Sequence, residues 1–207
     1  MKHKSIGNLF VFSAPSGAGK TSLVKALTES LPDITVSISH TTRPQRPREL
    51  PGINYHFVTK DTFEAMIEAD KFLEHAQIFG NHYGTSRQWV EDTLNAGTDV
   101  ILEIDWQGCQ SIQGLFKDCI SIFIVPPSPA ILAKRLTERG QDRPDVIAER
   151  LADARETFSH LGEFDYIVLN DDFEQALFDL KAIITAYRLK RERQLLALEP
   201  LLTQFRA

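Results

Sequence analysis

The chain has 207 residues, of which 43% are hydrophobic, which suits one large domain or one domain with an insert. Its 23 Lys and Arg residues against 28 Asp and Glu residues give a net charge of −5, which argues against a protein that mainly coats nucleic acid or an anionic membrane. Two cysteines, Cys109 and Cys119, are too few for a disulfide scaffold, and no apolar run approaches the ~18 residues of a membrane span.

Short apolar runs alternate with amphipathic stretches along most of the chain. Residues 9–13 predict a buried strand, and the helix that follows them stops before Pro32. Further strands are predicted at 34–39, 100–104, 120–125 and 166–169, and helices near 85–96, 128–139, 144–160 and 172–193. This alternation is typical of an α/β fold, in which a parallel sheet is flanked by helices on both faces.

The stretch after the second predicted strand interrupts this alternation. It opens with the Pro- and Arg-rich segment TTRPQRPRELPG and continues with a short helix near 60–70 and the strand-like pieces FLEHAQI and NHYGT. We interpret 40–86 as a small mixed α/β insert in a core domain formed by 1–39 and 87–207. The polar segment ERGQDRPDVI predicts a mobile lid at about 138–150.

The motif SAPSGAGKT, residues 13–21, predicts a phosphate-binding loop between the first strand and the first helix. Its glycines allow consecutive N–H groups to converge on a phosphate, and the positive end of the helix points to the same place. Lys20 would neutralise the β- and γ-phosphates, and the Thr21 hydroxyl would hold Mg²⁺. The pattern G-x-x-x-x-G-K-[ST] fails at Ala14, which leaves an ordinary glycine-rich turn with a solvated lysine as the alternative.

A second segment has the composition of a phosphate site. Arg43, Arg46 and Arg48 lie within six residues, separated by Pro44 and Pro47. Proline keeps the segment extended, and guanidinium groups bind phosphate oxygens in bidentate fashion. A solvated basic loop and a weak nucleic-acid patch are the alternatives.

Three carboxylates are candidate site residues. Glu74 lies in a locally apolar strand pattern, and a carboxylate there would accept hydrogen bonds from the N1–H and N2–H₂ edge of guanine, whereas a surface Glu at a strand end is the plainer interpretation. Glu103 and Asp105 follow an apolar strand, where an Asp orders Mg²⁺ in phosphate-loop proteins. The D-x-x-G pattern at 105–108 also suits a GTPase, but the sequence has no N-K-x-D guanine reader.

In this order the motifs resemble the guanylate kinases, the enzymes that phosphorylate GMP, and most closely the bacterial ones. The resemblance runs from about residue 7 to 193 and is carried by SAPSGAGKT, SISHTTRPQRP, INYHF, FLEHAQIFGNHYGTS, ILEIDWQG, RLTERGQD and VLNDD. It implies a P-loop NTPase-type core with a nucleotide-binding insert and a lid. The implied reaction is ATP + GMP → ADP + GDP, with ATP as co-substrate and Mg²⁺ as cofactor.

The resemblance also implies site residues for each ligand. ATP would be bound by Ser13, Ala14, Pro15, Ser16, Gly17, Ala18, Gly19, Lys20, Thr21, Ser22 and Asn170. GMP would be bound by Ser39, Arg43, Arg46, Tyr55, Glu74, Tyr83, Thr85, Glu103 and Asp105. The catalytic cations would be Lys20, Arg43, Arg135, Arg139 and Arg150, and Mg²⁺ would lie at Thr21 and Asp105.

The sequence departs from the family pattern at two positions. Arg48 stands where the family has a glycine before Glu49, and Arg tolerates a positive φ poorly, so an altered loop is expected. Arg143 stands in the lid where the family often has Ser or Thr.

The sequence leaves two other functions open. A kinase for another nucleoside monophosphate, and a non-catalytic guanylate-kinase-like module that binds phosphorylated peptides, are the alternatives. We expect a cytoplasmic protein with small-molecule substrates and without nucleic-acid or membrane partners. The sequence leaves homo-oligomer formation open.

Overall fold

The computed structural model describes residues 6–138 and 144–206. In these ranges the strands are β1 (Leu9–Ser13), β2 (Ile34–Val36), β3 (His40–Thr41), β4 (His56–Phe57), β5 (Phe72–Ile78), β6 (Asn81–Ser86), β7 (Asp99–Glu103), β8 (Ile120–Val125) and β9 (Tyr166–Leu169). The helices are α1 (Lys20–Ser30), α2 (Lys60–Glu68), α3 (Arg87–Asn95), α4 (Trp106–Leu115), α5 (Pro129–Glu138), α6 (Pro144–Ser159), α7 (Phe173–Arg188) and α8 (Arg191–Arg206).

The core is a five-stranded sheet in the order β2-β7-β1-β8-β9, in which every neighbouring pair is parallel. This confirms the predicted α/β fold class. Because all five strands run in the same direction, the segments that follow β1, β2, β7 and β9 leave the sheet at its carboxyl edge, where ligands bind in folds of this kind.

Successive residues of β1 face opposite sides of the sheet, and this alternation builds two hydrophobic layers. Phe10 and Phe12 are fully buried in the layer that also holds the apolar faces of α1 and α7. Leu9 and Val11 are buried in the other layer, against α3 and α4. The central strand is therefore covered on both faces, which is why its sequence is an uninterrupted apolar run.

A second, four-stranded sheet in the order β4-β3-β6-β5 lies wholly within 40–86. The β3–β4 pair is parallel, and β6 pairs antiparallel with both β3 and β5. Strands β5 and β6 form a hairpin whose two-residue turn is Phe79-Gly80. The strands of the predicted insert pair with one another, and the division of the chain into two domains stays a prediction.

Some observed elements differ from the predicted ones. The strand predicted at 34–39 ends at Val36, and α4 was not predicted; its sequence, WQGCQSIQGL, contains two glycines, which disfavour a helix. The helix predicted at 172–193 ends at Arg188, whose side chain turns to the buried Asp99 of β7 with Nε 2.8 Å from Oδ2. Part of the predicted lid, 139–143 with Arg139 and Arg143, lies outside the described residues.

A helix that spans a bilayer needs about 20 consecutive, predominantly apolar residues. None of the helices in 6–138 and 144–206 is long and apolar enough to cross a bilayer.

Candidate active site

The segment between β1 and α1 adopts the tight turn that the motif predicts. Gly17 and Gly19 have φ values of 93° and 96°, in the region that favours glycine. A Cβ on Gly19 would lie 2.3 Å from the side-chain nitrogen of Asn170, which donates a 2.7 Å hydrogen bond to the Ala18 carbonyl oxygen. Asn170 thus stabilises the loop through the Ala18 carbonyl group, and its predicted part in ATP binding stays a prediction.

Lys20, the first residue of α1, points back across the ends of β1 and β7. Its Nζ donates to the carbonyl oxygen of Ile104 at 3.2 Å. Burial lowers the pKa of Lys20 below its usual value, and the nearby carboxylates of Glu103 and Asp105 oppose part of that shift. The ammonium group therefore lies at the edge of the sheet where a phosphate bound by the loop would be.

The carboxylates of Glu103 and Asp105, which follow or end β7, bind different groups: Glu103 a side chain of α1, and Asp105 the backbone of α4. The Thr21 hydroxyl donates to Glu103 Oε2 at 2.9 Å, so Glu103 lies beside the phosphate loop. Asp105 caps α4, with Oδ1 accepting from the Gly108 N–H at 2.9 Å, and burial raises its pKa. The predicted part of Glu103 in GMP binding stays a prediction.

The arginine segment is folded around one carboxylate. Glu49 Oε1 accepts from Arg43 at 2.6 Å, and Glu49 Oε2 accepts from the Arg46 backbone N–H at 2.8 Å. Both side chains of the Arg43–Glu49 ion pair are mostly buried. Burial by itself would raise the pKa of Glu49, but the hydrogen bonds from Arg43 and the Arg46 backbone outweigh it, and the pKa is lowered. Arg48 is not among the non-glycine residues with positive φ in the described chain, so it fits this loop without that strain.

Two tyrosines lie next to the arginine segment. The rings of Tyr55 and Tyr83 meet edge to face with centroids 6.0 Å apart, and the Arg43 guanidinium lies 5.3 Å from the Tyr55 ring centre. Burial raises the pKa of Tyr55 to about 12, so its hydroxyl keeps its proton at neutral pH. Such a hydroxyl can donate a hydrogen bond to an anion.

Glu74 of β5 is buried, with 7% of its surface exposed. It accepts a hydrogen bond from the Thr85 hydroxyl across the β5–β6 pair, at 2.5 Å. Burial, helped by the negative charge of Asp105, raises its pKa to about 7. A surface glutamate would have neither property, and we conclude that the plainer interpretation of Glu74 is wrong.

Two arginines from the helices after β8 reach the phosphate loop. Arg150 of α6 donates to the Ser16 hydroxyl at 2.7 Å. Arg135 of α5 donates to the Ala18 carbonyl oxygen at 3.3 Å and to that of Asn170 at 3.4 Å. The guanidinium of Arg135 thus supports the back of the loop, while Arg150 lies on its cavity side.

These groups enclose one cavity of about 670 Å³. The predicted site residues that line it are Ala14, Pro15, Ser16, Gly17, Ala18, Gly19, Lys20, Thr21, Ser39, Arg43, Arg46, Tyr55, Glu74, Tyr83, Glu103, Asp105 and Arg150. Ser13, Ser22, Thr85, Arg135 and Asn170 do not line it, although Thr85, Arg135 and Asn170 bind groups next to it.

Several residues of the cavity were missed by sequence reasoning. Ser37 is buried, lines the cavity, and its hydroxyl has no hydrogen-bond partner among the described atoms. Its alternation with Ser39 in the segment SIS was the available signal. Asp153 and Thr157 of α6 also line the cavity, and only the packing of α6 shows this.

A parallel sheet whose first strand leads through a glycine-rich turn into a helix, with a lysine at that helix start, defines the class of P-loop phosphate-binding proteins. Comparison with known proteins narrows this class. The family model described as guanylate kinase matches residues 6–187. The chain belongs to the guanylate kinase family.

Individual relatives agree with this assignment. The guanylate kinase of Alkalilimnicola ehrlichii is 54% identical over 198 residues, which cover 96% of each chain. That of Nitrosococcus oceani is 57% identical over 196 residues, 95% of this chain and 97% of the relative. The crystal structure of guanylate kinase from Anaplasma phagocytophilum superposes with a TM-score of 0.78 at 34% identity, covering 92% of this chain and 90% of that one.

Proposed function

We propose that the protein transfers the γ-phosphoryl group of ATP to the phosphate of GMP, giving ADP and GDP. The observation that carries this proposal is the single cavity whose wall includes both the phosphate loop, with Lys20, and the arginine segment, with Arg43 and Arg46. Two anion sites that share one cavity suit a donor and an acceptor nucleotide bound with their phosphates facing each other.

The acceptor needs no general base in this reaction. The attacking atom is a phosphate oxygen of GMP, which is mostly ionised at neutral pH because the second pKa of a phosphomonoester is about 6. The protein's task is to position the nucleotides and to neutralise the repulsion between their phosphates. Lys20, Arg43, Arg46 and Arg150 are the described cations that line the cavity for this task.

Guanine recognition is assigned to Glu74. Its carboxylate would accept the N1–H and N2–H₂ donors of the base, and adenine offers no such pair. The hydrogen bond from Thr85 fixes the orientation of the carboxylate, and burial excludes the water that would compete for it. The proposed substrate preference therefore depends on one buried carboxylate.

Magnesium is proposed at the phosphate loop. Mg²⁺ is usually bound through one or two carboxylates, waters and substrate phosphates, and the oxygens of Thr21 and Glu103 fit that chemistry. Within the described chain, no group of three His, Cys, Asp or Glu side chains forms a metal site of its own. When bound, the ion would offset charge on the β- and γ-phosphates. Thr21, Glu103 and Asp105 would orient it.

A coupled assay for ADP production tests the proposal. With ATP present, ADP should form only when GMP is added, and AMP, UMP and CMP should be poor acceptors. ADP formation with AMP instead would indicate another monophosphate kinase. Phosphate release from GTP without an acceptor would indicate a GTPase, and no turnover with any acceptor would favour a binding module.

The remaining properties are proposals from the sequence. We propose a cytoplasmic location, small-molecule partners only, and no nucleic-acid or membrane partner. Size-exclusion chromatography with light scattering would determine the oligomeric state. A ligand screen with duplex DNA and anionic vesicles would test the partner predictions.

A further inference from the structure

The two-residue turn of the β5–β6 hairpin contains a phenylalanine, a residue type that such turns disfavour. Its two central residues, Phe79 and Gly80, have φ values of 47° and 74°, as in a type I′ turn. Such turns favour Asn or Asp followed by Gly, since a bulky side chain is strained at positive φ. Phenylalanine at this position therefore costs conformational free energy, and strain of this kind concentrates at functional sites.

The strained turn places the aromatic ring against the helix that carries a predicted catalytic arginine. The guanidinium carbon of Arg150 lies 5.8 Å from the centre of the Phe79 ring, within the range of a cation–π contact. The same guanidinium donates to the Ser16 hydroxyl of the phosphate loop at 2.7 Å. Arg150 is thus held between the tip of the hairpin and the loop.

The Phe79–Arg150 contact lies at the opposite end of the hairpin from the proposed guanine site. Glu74 and Thr85, which lie at the base of the hairpin, belong to the proposed guanine site, and Tyr83 lies between base and tip. Base and tip are joined by one antiparallel ladder that runs from the Phe72–Ser86 pair to the Ile78–Asn81 pair. The hairpin therefore connects the proposed acceptor site to the arginine at the proposed donor site.

We propose that Phe79 is a positioning residue, whose ring at the hairpin tip aligns Arg150 over the phosphate loop and so couples the acceptor site to the donor site. This inference rests on the proposed function. Phe79 lines the same cavity as Arg150, and the role proposed for it is exerted through Arg150.

Substitutions at Phe79 can distinguish the effect of the aromatic ring from the effect of the turn conformation. Asparagine favours the left-handed conformation, so Phe79→Asn preserves the turn while it removes the ring. Phe79→Tyr keeps the ring and serves as the rescue variant. Phe178→Gln removes an exposed phenylalanine of α7 that lies outside the cavity and serves as the matched control.

The measurement is the single-turnover rate of GDP formation with enzyme in excess, together with KM for GMP. An exposed cation–π contact predicts a loss of about two- to fivefold in the Phe79→Asn rate, with KM for GMP and thermal stability retained. The Phe79→Tyr and Phe178→Gln variants should keep the wild-type rate. In an Arg150→Ala background, Phe79→Asn should have no further effect.

Several outcomes would overturn the inference while leaving the proposed function intact. These are a wild-type rate for Phe79→Asn, a raised KM for GMP at an unchanged rate, or a full additional loss in the Arg150→Ala background. If the wild-type protein itself makes no GDP from ATP and GMP, the proposed function fails, and this inference fails with it.

Discussion

Replacing Glu74 by glutamine is expected to make the protein more stable and less able to bind GMP. Glutamine has nearly the same shape as glutamate but does not ionise. In the wild type, burial raises the pKa of Glu74 to about 7, whereas in the unfolded chain its pKa is near the ordinary value of 4.5. Glu74→Gln removes this difference between the two states.

The direction of the stability effect follows from proton binding. Between pH 4.5 and 7 the folded state holds the Glu74 proton while the unfolded chain has lost it, so the free energy of unfolding falls as pH rises through this window. The difference between a pKa of about 7 and one of 4.5 corresponds to about 3 kcal/mol. Glu74→Gln should therefore be more stable than wild type by up to about 3 kcal/mol at pH 8, and nearly equal to it at pH 4.

Urea unfolding of both proteins at pH 4, 6 and 8 measures this difference. Glu68→Gln, which changes an exposed glutamate at the end of α2, is the matched control and should follow the wild type at each pH. A constant stability difference between Glu74→Gln and wild type across the three pH values would refute the reasoning, and so would a loss of stability at pH 8.

The same substitution should weaken GMP binding. The NH₂ group of the glutamine amide would face the N1–H and N2–H₂ donors of guanine, so one of the two hydrogen bonds cannot form. Loss of this bidentate base contact predicts a roughly 10- to 100-fold rise in KM for GMP. GMP affinity should rise with pH through 7 in the wild type, because guanine binds the ionised carboxylate. The GMP phosphate titrates in both proteins, so the difference between their pH profiles isolates Glu74.

Three further substitutions test the rest of the structure. Lys20→Met should lower kcat by about 10³-fold or more with GMP binding retained, as steady-state kinetics and a GMP titration would show, and wild-type turnover would contradict the assignment. Glu49→Gln should raise KM for GMP more than it lowers kcat, because Glu49 orients Arg43; equal KM values would remove that role. Asp99→Ala should lower the free energy of unfolding by about 3 kcal/mol in denaturant titrations, since it leaves Arg188 without its buried partner, while kcat is kept; an unchanged midpoint would contradict this.

The phosphate loop could be predicted from the sequence because its chemistry is local. A short apolar strand, two glycines and a lysine at a helix start fix the backbone over about ten residues. Ala14 in place of the first glycine leaves Gly17 and Gly19, the two positions with positive φ, intact. The strand and helix positions of the core followed from periodicity for the same reason, whereas α4, which has two glycines among its ten residues, was missed.

The partners of the site side chains were less predictable because they depend on strand order. Glu103 lies beside Thr21 because β7 and β1 are neighbours in the sheet, although the two residues are 82 positions apart. In the sequence, Glu49 was noted only because the preceding residue, Arg48, departs from the family pattern. The structure shows that Glu49 binds the Arg43 side chain and the Arg46 backbone N–H. Such contacts form when the chain folds and have no local pattern.

The sequence by itself determined the class of fold, the anion-binding loop and the family, since each is encoded in short segments whose conformation depends on near neighbours. Only the tertiary structure decided that Glu74 is buried and holds its proton up to about pH 7, and that Phe79 contacts Arg150. The reason is physical: burial and charge proximity are set by elements that pack together from distant parts of the chain, and a linear pattern does not contain those distances.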